Sequence, residues 1–240
     1  GTAFSNDASA TSVGTIDSEG QINTTAGFSI IKYVGTGSAG TIAHGLGVAP
    51  SMVIIKARDD TTGDGNWLVY VKAGSVDETD YLLLNSNTEA TDEAGAFNDT
   101  AATTTTFSVG TFVDLNQSSI NYIAYCFADV EGYCKVGGYI GNGSTDGTFI
   151  YTGFRPAWIM QKRTNTTGNW LIWDSTRNTS NEVTKYLLAD VTNDESTDGG
   201  IDIVSNGFKA RKSGTGLNAS GSTYIYLAFA EQPQKFSNAR

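Results

Sequence analysis

The chain holds 240 residues, with 15 Lys and Arg against 25 Asp and Glu, a net charge of −10. With that acidic excess and no Lys/Arg cluster, neither nucleic acid nor anionic lipid is an expected partner. No apolar stretch reaches the length of a membrane span, so no membrane insertion is expected. Hydrophobic residues make up 39% and charged residues only 17%, which suits one large or two modest cores in an all-β chain whose Gly, Thr, Ser and Asn serve turns.

Residues 1–27 carry isolated apolar side chains (Phe4, Val13, Ile16, Ile22) in a Ser/Thr/Gly/Asp background. That pattern predicts an extended N-terminal arm, ordered against a neighbouring subunit or an upstream domain, with a flexible tail as the alternative. The start at Gly1 fits an excerpt of something longer or a processed product. From Phe28, F-S-I-I-K-Y-V predicts a strand running into a glycine-punctuated turn. After H-G-L-G-V-A-P (44–50), the run M-V-I-I (52–55) predicts a strand covered on both faces. Pro50 stands at its entrance, where no backbone donor is needed. G-D-G-N-W-L-V-Y (63–70) predicts a hairpin turn into another strand. Further strands are predicted at Y-L-L-L (81–84), T-F-S-V (106–109) and Y-I-A-Y-C-F-A-D (122–129). Alternation on the last predicts Ile123, Tyr125 and Phe127 toward the core and the small Ala124, Cys126 and Ala128 away from it.

The same series then returns. K-V-G-G-Y-I-G-N-G-S (135–144) echoes the first strand and turn, and Y-T-G-F-R-P (151–156) echoes 44–50. P-A-W-I-M-Q-K-R (156–163) repeats the central strand, with Pro156 and Lys162 each 106 positions after Pro50 and Lys56. W-L-I-W (170–173) follows W-L-V-Y (67–70) at a spacing of 103, as if a turn had lost three residues. Y-L-L-A (186–189), N-G-F-K-A (206–210) and Y-I-Y-L-A-F-A-E (224–231) complete the series. The expected fold is all-β: two tandem, homologous antiparallel β-sandwich repeats of jelly-roll-like type, 28–131 and 132–240, packed together behind the arm. One merged sandwich is the alternative.

Few residues suggest chemistry. His44, the lone histidine, has no titratable counterpart in the second series and no nucleophile motif beside it, so it reads as a turn residue between glycines. D-D-T-T-G-D-G-N (59–66) has the oxygen-rich composition of a calcium loop but lacks the closing Glu, and its counterpart T-N-T-T-G-N (164–169) has no acid. It reads as a solvated hairpin tip, and neither a metal nor a cofactor is expected. The acids Asp77, Glu78, Asp80, Glu89, Asp92, Glu93, Asp194, Glu195 and Asp198 crowd into loop-like segments and read as loop solvation rather than a catalytic carboxylate pair. The chain is therefore not expected to be an enzyme. Cys126 and Cys134 make no disulfide framework; Cys126 reads as a small core residue. Trp67 and Trp170 occupy equivalent positions after one turn and read as core. Tyr70 and Trp173, on the opposite face, are the candidate ligand-binding residues, as rings for stacking on a sugar.

With these motifs in hand, the stretch A-Y-C-F-A-D-V-E-G-Y-C-K-V-G-G-Y-I-G-N-G-S-T-D-G-T-F-I-Y-T-G-F-R-P-A-W-I-M-Q-K-R (124–163) resembles a domain of unknown function from bacteriophage structural proteins, among them tail fibres and other virion surface proteins. H-G-L-G-V-A-P-S-M-V-I-I-K, G-N-W-L-I-W-D-S, S-N-G-F-K and N-A-S-G-S-T-Y-I-Y-L-A-F-A-E-Q-P belong to the same pattern, which runs from about Phe28 to the C-terminus. Cys134 departs from it, where a small polar residue is usual. The resemblance implies a non-catalytic virion component (tail fibre, knob or surface fibre) acting in host attachment. Its expected partners are other virion proteins, further copies of itself (a trimer by analogy) and host surface polysaccharide. A purely structural head-decoration or tail-sleeve subunit and a carbohydrate-binding or depolymerase module are the alternatives. The family carries no catalytic residue that could be transferred.

Overall fold

The computed structural model describes residues 1–59 and 61–232. Within them the chain is all-β, with three single-turn helices. In chain order come β1 (Thr2–Asn6), α1 (Ala8–Thr11), β2 (Ser18–Asn23), β3 (Phe28–Val34), β4 (Gly40–Ala43), β5 (Met52–Ala57) and β6 (Trp67–Val71). They are followed by β7 (Asp80–Leu83), β8 (Thr91–Asp92), α2 (Ala94–Phe97), β9 (Thr106–Val109), α3 (Val113–Asn116) and β10 (Asn121–Phe127). The remainder forms β11 (Cys134–Ile140), β12 (Phe149–Tyr151), β13 (Pro156–Arg163), β14 (Trp170–Asp174), β15 (Leu187–Leu188), β16 (Ile201–Val204), β17 (Gly207–Ala210) and β18 (Thr223–Ala230). The chain divides into two compact units. The first takes in 1–72, 76–84 and 90–129; the second takes in 73–75, 85–89 and the chain from 130 onward.

In the first unit an eight-stranded sheet runs β1-β2-β3-β10-β5-β6-β7-β8, and β4 pairs with β9 in a small second sheet. The core lies between them. Ile31, Tyr33, Val53, Ile55, Leu68 and Tyr70 of the large sheet meet Ile42, Phe107 and Val109 of the small one, with Phe97 of α2 and Leu115 of α3 closing the sides. The second unit has a five-stranded sheet, β11-β18-β13-β14-β15, and a three-stranded one, β12-β17-β16. Its core gathers Ile159, Leu171 and Trp173 against Ile150, Ile201, Ile203 and Phe208. Both are sandwich-like, with unequal layers. As the apolar run in β5 predicts, Met52, Val53, Ile54 and Ile55 are all buried.

Five strands follow the same spatial order in both units, β3-β10-β5-β6-β7 in one and β11-β18-β13-β14-β15 in the other. The polar frame also matches. Tyr33 and Tyr122 stack with ring centroids 5.2 Å apart, and Tyr139 and Tyr224 stack at 4.9 Å. The hydroxyls of Tyr33 and Tyr139 donate to the Leu115 and Leu217 carbonyls, each at 2.7 Å. Tyr122 donates to the Val113 carbonyl and accepts the Gln117 N–H, while Tyr224 donates to Thr215 and accepts from Ala219. Asn116 accepts the Thr36 N–H at 2.8 Å, and Asn218 accepts the Asn142 N–H at 3.0 Å. Buried hydroxyls and amides need such partners, and each unit supplies them from the loop preceding its last strand.

Two expectations are corrected. Residues 1–27 do not form an extended arm. β1 and β2 make an antiparallel pair, and β2 pairs with β3 from Ser18↔Tyr33 to Asn23↔Phe28. Backbone pairing needs no apolar composition, and a sparse set suffices for packing: Ile16 is buried in the first core, with Phe4 and Ile22 partly buried against it. On β10 the faces are reversed: Tyr122, Ala124 and Cys126 face the core, while Ile123, Tyr125 and Phe127 are half-buried. Ala124 lies between Ile31 and Ile55, and Cys126 between Ser29 and Val53. The middle row is small because Ile31, Val53 and Ile55 on its flanking strands fill the space.

Candidate functional site

Tyr70 and Trp173 do not form an exposed stacking platform, being 3% and 0% exposed. Tyr70 shares its face of β6 with Leu68, the core face. Its ring lies edge-on to Phe97 at 5.4 Å, and its hydroxyl accepts the Ala102 N–H at 3.1 Å. Burial raises the pKa of that hydroxyl. Trp67, expected in the core, is instead half-buried and stacks on Tyr125 at 6.4 Å, whereas Trp170 is buried. Edge strand β12 carries the exposed rings that composition did not single out. Phe149 and Tyr151 are 46% and 65% exposed, with Ile140 at the end of β11 also exposed.

Trp173 nonetheless has a distinctive setting. It lines a cavity of about 320 Å³ in the second unit, together with Leu171, Tyr186, Asp198, Lys212 and Leu217 and four glycines, 199, 200, 214 and 216. Its indole lies 4.9 Å from the Tyr186 ring. Gly199 is required by close approach, since a Cβ there would stand 2.4 Å from Trp173 Cη2. The Trp173 indole N–H is buried without an acceptor. At the mouth, Tyr186 donates its hydroxyl to Asp198 Oδ1 at 2.9 Å, and Lys212 Nζ donates to the Asp198 carbonyl. The wall at 214–217 is held from beneath by three donors: Tyr224 on the Thr215 carbonyl, Gln161 Nε2 on Gly216 and Tyr139 on Leu217. This wall is pre-organised by the second unit's own core. In the first unit, where Tyr70 stands in the place of Trp173, Phe97 of α2 packs against the ring. The stretch from 189 to 200 carries no helix.

The other candidates are accounted for structurally. His44, read as a turn residue between glycines, is fully buried. Its Nδ1 accepts the Leu46 N–H, its Nε2 faces the Thr103 carbonyl at 3.2 Å, and desolvation lowers its pKa. In the acidic loop Asp60 lies outside the described residues. Asp59 accepts both N–H groups of Asn121, and the bond from the Asn121 side chain leads in holding its carboxyl below the usual range. A residue that no sequence motif marks organises the loop. Asp114 of α3, 2% exposed, accepts the Gly65 N–H and the Asn66 amide. Among the described residues no group of three His, Cys, Asp or Glu converges. Glu195 pairs with Arg177 at 2.6 Å and Lys185 at 3.3 Å, Glu78 pairs with Lys72 at 3.0 Å, and Asp77 caps Thr79. The two cysteines are buried and form no disulfide, and burial pushes the Cys126 thiol up to about 12. A second cavity, about 280 Å³ in the first unit, is lined by Asp7, Asp17, Glu19, Lys32 and Arg58. Its acids are engaged locally: Asp7 caps α1, Asp17 accepts the Ala8 N–H and Glu19 pairs with Lys32.

These features define a two-unit, all-β, sandwich-like protein with a polar–aromatic cavity beside the second core. The chain belongs to the family described as "Domain of unknown function (DUF7483)", which matches residues 3–233. No curated protein and no solved structure matches it significantly.

Proposed function

We propose that this protein is a bacteriophage virion surface component acting in host attachment, built from a duplicated sandwich and working as a homo-oligomer without catalysis. One observation carries the reading. The two units keep the same stacked tyrosines and loop-binding asparagines, yet they differ at the sheet face beside Tyr70 and Trp173, where one is packed by Phe97 and the other lines a cavity. A scaffold repeated with altered surfaces is the pattern of a recognition protein. The resemblance of 124–163 to virion surface domains and the acidic, strand-rich composition support it further. Attachment by repeated copies gains strength from many weak contacts, so a single shallow site is enough.

Labelled protein incubated with a panel of bacterial isolates tests this reading. Saturable adsorption to a subset of strains, lost after periodate oxidation of their surface polysaccharide, is the expected result; absence of adsorption to every strain overturns it. A second reading, a subunit packed only among other virion proteins, is favoured by the exposed Ile140, Phe149 and Tyr151 on strands β11 and β12.

A further inference from the structure

We propose that the outer edge of β12 is a pairing surface between two copies of this chain, joined strand to strand about a twofold axis. It rests on the attachment reading for its use, giving that homo-oligomer a twofold contact in place of the trimer expected by analogy. A contrast between the two units carries it. Ile42 on β4 and Ile150 on β12 are equivalent, each buried and each directly opposite a buried phenylalanine, Phe107 or Phe208. In the first unit the chain itself covers the backbone groups beside Ile42. Thr15 and Ile16 donate their N–H groups to the Thr41 carbonyl at 2.8 and 3.1 Å, and the Thr41 N–H donates to Thr15 Oγ1 at 2.9 Å. The Ser18 hydroxyl donates to the Ala43 carbonyl at 3.0 Å. In the second unit β12 ends its three-stranded sheet, and among the described residues no strand pairs with its outer side. Residues 128–133 alone join β10 to β11, so nothing before β11 repeats the covering segment 15–18.

The ladder to β17 fixes which groups face outward. The Ala210 N–H donates to the Thr148 carbonyl, and the Thr152 N–H donates to the Asn206 carbonyl. Antiparallel alternation then bonds Ile150 inward to Phe208 and points the N–H and C=O of Phe149 and Tyr151 outward. The Tyr226 hydroxyl reaches the Tyr151 carbonyl at 3.3 Å, and that oxygen keeps a second lone pair. Side chains sharpen the contrast. The covered edge carries Thr41 and Ala43, whereas the open edge carries Phe149 and Tyr151, 46% and 65% exposed. Edge strands are commonly blunted by charge or proline, and F-I-Y has neither. Such an edge is self-complementary. A twofold axis at Ile150 lets Phe149 and Tyr151 exchange backbone bonds with Tyr151 and Phe149 of the second copy, each ring beside the other. Charge permits the approach. Copies of net charge −10 repel, but here Lys209 is paired with Asp146 at 2.5 Å and Arg211 with Asp202 at 3.4 Å.

Sedimentation velocity on the full chain, from micromolar to millimolar concentration, tests the proposal. The mass should rise from one chain to two, with a dissociation constant on the order of 10 μM for so short a strand. Phe149→Lys combined with Tyr151→Lys sets like charges directly opposite one another and should abolish the dimer. Both side chains are exposed, so the fold is kept. Val191→Lys, at another exposed apolar position, should leave the dimer intact. In the unaltered protein, amide exchange at Phe149 and Tyr151 should slow as the dimer fills, since their N–H groups become bonded. A monomer at every concentration, a trimer, or association that the double variant leaves intact overturns the contact. So does a dimer in which these two amides gain no protection. Dimerisation without adsorption to any strain upholds the contact and removes the attachment reading. Adsorption by protein that stays monomeric does the reverse.

Discussion

Lys162 is fully buried, and its Nζ donates to the Arg163 carbonyl at 2.5 Å. Burial disfavours its charged form and lowers its pKa to about 8, with Asp190 and Glu89 opposing the shift. A lysine that binds its proton less readily folded than unfolded makes stability rise with pH between the folded and unfolded values. Relative to Lys162→Met, the wild-type protein should therefore gain about 2 kcal/mol of unfolding free energy between pH 7.5 and 9.5. Urea denaturation of both proteins at the two pH values measures this, and a constant difference would refute it. The sequence matched Lys162 to Lys56 by spacing but could not give their different depths, since Lys56 is only partly buried and reaches the Gly65 carbonyl. Spacing reports equivalent positions on a strand; burial depends on what crosses above them. Trp173 follows the same rule. Its position was legible, but its burial comes from Gly199 and from Tyr186, both distant in sequence from β14.

At the scale of elements, strands with strong apolar or β-branched runs were legible, and β3, β5 and β6 fall where their residues place them. The hairpin of β1 and β2 was not, because it is held largely by backbone bonds, and Ser, Glu and Gln serve those as well as Val does. A measurable consequence separates a hairpin from an arm. Deleting residues 1–26 removes the buried Ile16 and the partly buried Phe4 and Ile22 from the first core and uncovers the β3 edge along Phe28–Val34. Losing one buried and two partly buried apolar side chains costs roughly 3–6 kcal/mol, and a bare edge of alternating apolar residues invites pairing between chains. The truncated protein should melt at lower temperature than the full chain and self-associate in light scattering. An arm would leave both unchanged. Tyr122 and Tyr224 show a related limit: alternation identifies two faces, but only the donors in the preceding loop decide which face can bury a hydroxyl.

For the whole molecule, the division into units does not follow the chain simply, because the second unit includes 73–75 and 85–89. Spacing between echoes locates equivalent strands and is blind to such excursions, which depend on contacts rather than on likeness. Within the second unit, Gly138 on β11 packs backbone to backbone against Gly74, so that a Cβ at 138 would stand 2.4 Å from the Gly74 Cα. Ser75, next along, hydrogen-bonds Thr164 at 3.2 Å and Thr223 at 3.0 Å. The glycine contact therefore lets a segment from early in the chain lie close enough to a strand of the second unit to make these bonds. Gly138→Ala must displace that segment, because the clash is with backbone rather than the end of a flexible side chain. The expected cost is about 1–3 kcal/mol, with faster amide exchange at 73–75. Gly214→Ala is the control: with nothing within 4 Å of its Cβ, it should change stability by less than about 0.5 kcal/mol. Urea denaturation and hydrogen exchange compare the two variants. Equal stability of Gly138→Ala and wild type would mean that 73–75 is not held against β11.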